Sequence, residues 1–139
     1  MENKLKGMIT MNEQKVSEVL IRRGQIHMVD FGEVDAMSGS IQRGKRPAII
    51  ISNNKACKYS PVISVVPLST QKTKRNLPTH YQLTCDEYNR LRKDSTVLAE
   101  QILTVNRFQI ERQTGRLSDK DMEAVDARIR ISMGLDVAM

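Results

Sequence analysis

The chain has 139 residues, 22 Lys and Arg against 16 Asp and Glu, a formal charge of +6 and a sequence pI near 9.5. That length supports one domain with a modest core, and the basic balance favours a polyanionic partner: nucleic acid, an acidic protein or a membrane surface. Aromatics make up 4% and Trp is absent, so the core must rest on Ile, Val, Leu and Met, while periodic apolar runs and mixed-sign charge argue against disorder.

Residues 1–20 are polar, with a weak helical pattern from about Glu13, and read as an extension outside the main fold. From Gly24 the texture alternates, and "GQIHMVDF" predicts a first strand ending near Phe31. A long loop rich in Gly and Ser follows, of the kind that is either functional or disordered. "PAIIIS" predicts a second strand buried on both faces, with Asn53 and Asn54 turning the chain beyond it. "PVISVVPL" predicts a third strand, opened by Pro61 and closed or bulged by Pro67. After the basic loop "STQKTKRN", "LPTHYQL" predicts a fourth.

Thr84 with Glu87 three residues on matches a capping box and predicts a short helix through "EYNRLR". "STVLAEQILTV" predicts one long or two short strands, and "NRFQIER" a brief helix. Ser118 with Asp121 caps a C-terminal helix whose Met122, Val125, Ile129 and Met133 share one face, with Gly134 as terminator. Several short strands, one strong terminal helix and no βαβ rhythm predict a mainly β (α+β) fold: a small, strongly curved β-barrel with helices packed against it.

Cys57 and Cys85 are far apart with no C-x-x-C, which indicates reduced, buried thiols and neither a zinc site nor a redox pair. No apolar run approaches the roughly 20 residues of a membrane span, and the N-terminus lacks a signal-peptide core, so a cytoplasmic protein is expected.

Catalytic residue types are scarce. His27 and His80 form an acid/base pair only if their strands bring both imidazoles to one phosphate, and ordinary strand histidines are the alternative. Asp30, Glu33 and Asp35 are oxygen donors suited to a hard divalent ion, or simply surface charges at a strand end. Arg46 stands where the long loop meets the second strand, as a phosphate clamp or as a surface arginine. In "PLSTQKTKR", Ser69, Thr70, Gln71 and Thr73 stand beside Lys72, Lys74 and Arg75, a composition shared by nucleic-acid contacts and solvated hairpin loops.

The stretches "RRGQIHMVDFGEVDAMSGSIQRGKRPAIIISNN", "KYSPVISVVPLSTQ", "LPTH", "DSTVLAEQILTV" and "LSDKDMEAVDARIRISMGL" together resemble the MazF/PemK family of toxin endoribonucleases, the mRNA interferases. The resemblance spans residues 21–135 in order, leaving a short tail at 136–139. It implies an SH3-like barrel, a homodimer, cleavage of single-stranded RNA (mRNA) without metal or other cofactor, and restraint by an acidic, flexible MazE-like antitoxin. Residue by residue, the arginine of the family's G-x-R-P motif matches Arg46, and the catalytic threonine matches Ser69, which keeps the hydroxyl. The family's G-S-E-Q reads "GSIQ" here, with Ile41 in place of the acid and Ser40 and Gln42 as RNA contacts. The amide of the E-Q-I/V segment matches Gln101.

Without a metal, the RNA's own 2′-hydroxyl is the expected nucleophile, leaving a 2′,3′-cyclic phosphate and a 5′-hydroxyl. Arg46 suits stabilisation of the phosphorane charge, because a guanidinium is effectively always protonated and makes a poor base, with proton donation to the leaving oxygen as its alternative role. Candidate RNA contacts are Ser40, Gln42, Thr70, Gln71, Lys72, Lys74, Arg75 and Gln101, with Phe31 as either a stacking face or a core residue. Two other functions compete: an inactive RNA- or antitoxin-binding module, and gyrase poisoning of the CcdB type, whose C-terminal Trp-Gly-Ile this chain lacks.

Overall fold

The computed structural model describes residues 20–33, 37, 39–71 and 77–137. Residues 1–19 of the predicted extension, Asp35, and the basic residues Lys72, Lys74 and Arg75 lie outside the described residues. Among the described residues, seven strands and two helices follow in order: β1 (Gln25–Asp30), β2 (Lys45–Ile50), α1 (Asn54–Tyr59), β3 (Val62–Ser69), β4 (His80–Leu83), β5 (Ser95–Leu98), β6 (Leu103–Asn106), β7 (Ile110–Arg116) and α2 (Asp119–Ser132). Single 3₁₀ turns occupy Ala99–Gln101 and Arg107–Gln109.

All recorded strand pairs are antiparallel and build one sheet in the order β4-β5-β3-β2-β1-β7, with β6 beside the first half of β3. The sheet is open. Its terminal strands β4 and β7 do not pair, and it is not strongly curled, so the expected SH3-like barrel is not what this chain forms. Alternation along a strand reports which face is buried but carries no information on whether two distant edges meet, and that is where the expectation failed.

The strand period of two separates the apolar residues onto the two faces. Val29, Ala48, Ile50, Ile63 and Val65 build one core, closed at its rim by Phe31 and Ile110. Ile26, Ile49, Val66, Leu68 and Val97 build the other, covered by Val125, Met122 and Ile129 of α2. Ala48, Ile49 and Ile50 are each 0% exposed, as the unbroken run predicted. Each such isoleucine is worth about 1.5–3 kcal/mol relative to exposure. The Ser118 side chain accepts from Asp121 N–H at the start of α2, as predicted, whereas Met133 at its far end is exposed.

Local readings changed at three places. Asn53 is an N-cap rather than a turn residue, accepting from Ala56 N–H to start α1, while Asn54 accepts from Arg23 N–H. The predicted helix after Thr84 is instead a turn organised by Asn89, which is fully buried. Its side chain donates to Thr84 C=O and accepts from the N–H groups of Asp86 and Leu91, and Arg90 takes a left-handed φ of 53°. Gly115 of β7 lies against this turn, and a Cβ there would stand 2.2 Å from Asn89 O. "NRFQIER" divides into a 3₁₀ turn and the start of β7, an edge strand whose register against β1 shifts twice. At the end of α1 the Arg107 guanidinium donates to the carbonyls of Ala56, Cys57 and Ser60, the first of which also accepts from Ser60 N–H. Both cysteines are free, Cys57 buried and Cys85 partly so.

Candidate active site

Arg46 is the second residue of β2, paired with Val29 on β1. On the other side β2 runs against β3 with Ala48 opposite Pro67. The ladder ends at this pair, with Arg46 two residues before Ala48 on β2 and Ser69 two residues beyond Pro67 on β3, so strand alternation gives both the face that carries Ala48. Pro47 holds the Arg46 backbone extended. The Arg46 side chain is half-buried and its Nε donates to Arg43 C=O at 2.7 Å, which leaves the terminal nitrogens of the fork to face a ligand. Ser69 ends β3 with 5% exposure. Its hydroxyl oxygen accepts from Gln71 N–H at 3.2 Å, and its proton has no acceptor among the described residues.

The long loop closes back on itself before reaching Arg46. Phe31 N–H donates to Gly44 C=O at 2.9 Å, Gly44 N–H donates to Gly32 C=O at 2.6 Å, and Arg43 Nη1 donates to Phe31 C=O. Gly32 and Gly44 adopt φ of 88° and 79°, a region closed to most side chains.

A second anchor comes from the far side of β3. Val97 of β5 lies opposite Leu68 and Leu103 of β6 opposite Val65, so the five residues from Leu98 to Ile102 lie against only Val66 and Pro67. The surplus bulges outward as the 3₁₀ turn Ala99–Gln101 and carries the Gln101 amide to the loop. There Gln101 Nε2 donates to Ser40 C=O at 2.9 Å and Oε1 accepts from Gln42 N–H at 3.0 Å. One side chain thus holds the backbone on both sides of Ile41, which is 47% exposed. Gln42 Oε1 is buried with no hydrogen-bond partner, an acceptor left open in the same place. Arg46 and Ser69 thus share one face of β2 and β3, Gln101 ties down the Ser40–Gln42 backbone of the loop that leads to Arg46, and exposed Thr70 and Gln71 follow Ser69. Residue reasoning did not foresee the clamp, because the bulge that delivers Gln101 arises from a register mismatch across β3.

Other candidates are dispersed. β2, β3 and β5 separate His27 on β1 from His80 on β4, so no two-histidine centre forms. His27 Nδ1 donates to Glu111 C=O at 2.9 Å, its Nε2 contacts Gln25 Oε1, and burial lowers its pKa. His80 Nε2 lies 2.8 Å from Glu100 Oε2. Phe31 is 4% exposed within the core and offers no stacking face. Asp30 accepts from Gly32 N–H, and no three His, Cys, Asp or Glu side chains come together among the described residues. No helix among them is long and apolar enough to cross a membrane.

An open antiparallel sheet that carries an arginine and a buried hydroxyl on one face of two adjacent strands, with a clamped Gly-containing loop leading to the arginine, has the parts of a phosphate-handling site without an imidazole base. Residues 22–133 match the family model described as PemK-like, MazF-like toxin of type II toxin-antitoxin system. The chain belongs to that family. It is 38% identical over 116 residues to an endoribonuclease MazF of Staphylococcus saprophyticus, covering 84% of this chain and 93% of the relative. A crystal structure of MazF from Deinococcus radiodurans shares the fold with a TM-score of 0.66 at 17% identity, covering 83% of this chain and 97% of that one. A mycobacterial endoribonuclease in complex with its cognate antitoxin gives 0.66 at 22% identity, covering 84% and 97%. The chain is accordingly an enzyme of the MazF-like ribonuclease toxin class.

Proposed function

We propose that the chain cleaves single-stranded mRNA at short sequences in the cytoplasm, without a metal, by in-line attack of the substrate's 2′-hydroxyl. The O2′–P bond forms and the P–O5′ bond breaks; the 2′-hydroxyl proton passes to water and the leaving 5′-oxygen takes one from water or from the Arg46 guanidinium, giving a 2′,3′-cyclic phosphate and a 5′-hydroxyl. The observation that supports this reading is the antiparallel pairing of β2 with β3, on which strand alternation gives Arg46 and Ser69 the same face, each two residues beyond the Ala48–Pro67 pair. Arg46 stabilises charge on the non-bridging oxygens, and Ser69, whose proton is uncommitted, donates to the same oxygens or orients the 2′-hydroxyl. Ser40, Gln42, Thr70 and Gln71, with Lys72, Lys74 and Arg75, serve base reading and phosphate contact.

As toxin, the protein would act as a homodimer and be neutralised by an acidic, flexible antitoxin. Its charge of +6 and the antitoxin-bound relatives support that partner. Incubation of the purified protein with a long, weakly structured RNA in EDTA, followed by mapping of the ends, tests the chemistry. Discrete cuts with cyclic phosphate ends are expected, and Arg46→Ala should lower cleavage by a hundredfold or more, the scale of one lost oxyanion donor. Intact RNA, or full cleavage by Arg46→Ala, would overturn the proposal.

A further inference from the structure

On the opposite face of the same end of the sheet lies a cavity of about 660 Å³. Pro47 and Thr70, the residues immediately after Arg46 and Ser69, both line it, together with Arg90, Arg92, Lys93 and Arg112. All four cationic residues are exposed, and none of their side chains has an ion-pair or hydrogen-bond partner among the described residues. Of the neighbouring acids, Asp94 accepts from Cys85 N–H at 2.8 Å and Glu111 pairs with Lys45 at 3.0 Å, while Glu87 lines an adjacent hollow with Arg90. Four uncompensated cations around one concavity repel one another and hold a positive potential that only an anion relieves.

We propose that this cavity is a phosphate-binding subsite for the RNA strand flanking the cleavage point, a placement that rests on the ribonuclease reading. A strand passing over the end of the sheet meets Arg46 and Ser69 on one face and the cationic cavity on the other. Three guanidinium forks and the Thr70 hydroxyl match phosphate oxygens. Met28 and Leu91 add an apolar wall to the same cavity, on which an unstacked base can rest, a surface that an acidic peptide does not need.

The probe is a fluorescent single-stranded RNA with 2′-O-methyl groups throughout, which cannot be cut by its own 2′-oxygen. Its Kd is measured against salt for the wild type, for single glutamine variants of Arg90, Arg92, Lys93 and Arg112, and for the quadruple variant. Each phosphate contact removed should flatten the slope of log K against log salt by about 0.7. The quadruple variant should therefore lose about 2 to 3 units, while Lys55→Gln on α1 leaves the slope unchanged. A quadruple variant with the wild-type slope overturns the subsite, as does one that loses affinity only for polyglutamate, since that assigns the surface to an acidic protein. Wild-type protein that fails to bind the RNA at all overturns the ribonuclease reading itself, a result distinct from an unchanged slope.

Discussion

Removing the amide of Gln101 separates its role in loop positioning from a role in direct RNA contact. Its Nε2 and Oε1 each make one neutral hydrogen bond, to Ser40 C=O and from Gln42 N–H. At about 0.5–1.5 kcal/mol net for each bond, Gln101→Ala removes about 1–3 kcal/mol from the clamped state, a shift of roughly 5- to 150-fold toward an open loop. The loop continues to Arg43, whose carbonyl accepts from Arg46 Nε, so opening it releases the contact that aims the guanidinium. Hydrogen exchange of the Gln42 amide in the free protein should accelerate by that factor. The value of kcat should fall by ten- to a hundredfold, because misplacement of a charge-stabilising group acts on the transition state. Gln101→Glu keeps the acceptor for Gln42 N–H and loses the donor to Ser40, so it should retain most of the exchange protection and fall between the two in kcat. Global stability should change little, since Gln101 lies at the surface of the sheet. Wild-type exchange at Gln42 with only KM raised would refute the clamp and return Gln101 to the role of an RNA contact.

Gly115→Ala should destabilise the protein by about 1–3 kcal/mol, read as a lower denaturation midpoint, because the new Cβ would meet Asn89 O at 2.2 Å and neither backbone can yield freely. An unchanged midpoint would mean that the Asn89 turn is not packed as described. His27 has a folded pKa below its ordinary 6.5 through burial, so its contribution to stability is present above pH 6.5 and is lost as pH falls through the lower folded value. His27→Gln should flatten the acid-side loss of stability in pH-dependent denaturation, and an equally steep profile would remove His27 as its cause.

The readings that survived concern local patterns. α2 was legible because Ser118 caps it, apolar residues recur at helical spacing and Gly134 ends it with a φ of 74°. β2 and β3 were legible because consecutive or alternating Ile and Val need a sheet to bury them. β7 was not, since an edge strand with one free side and two register shifts against β1 has no clean alternation in "IERQTGR". The helix predicted from Thr84 failed because buried Asn89 offers the backbone side-chain partners that compete with a helical turn.

For the site, residue type alone left Arg46 open between a phosphate clamp and a surface arginine, and the match of Ser69 to a catalytic threonine came from the family resemblance. Their partnership could not be read one residue at a time. It depends on the register between β2 and β3, on a bulge that carries Gln101 across to the loop, and on Arg90, Arg92, Lys93 and Arg112 converging from two separate segments. Openness of the sheet is decided in the same way, because whether β4 meets β7 depends on twist accumulated over every strand between them. Local chemistry is written in neighbouring residues, but register and closure are sums over the whole sheet, and only the folded chain evaluates them.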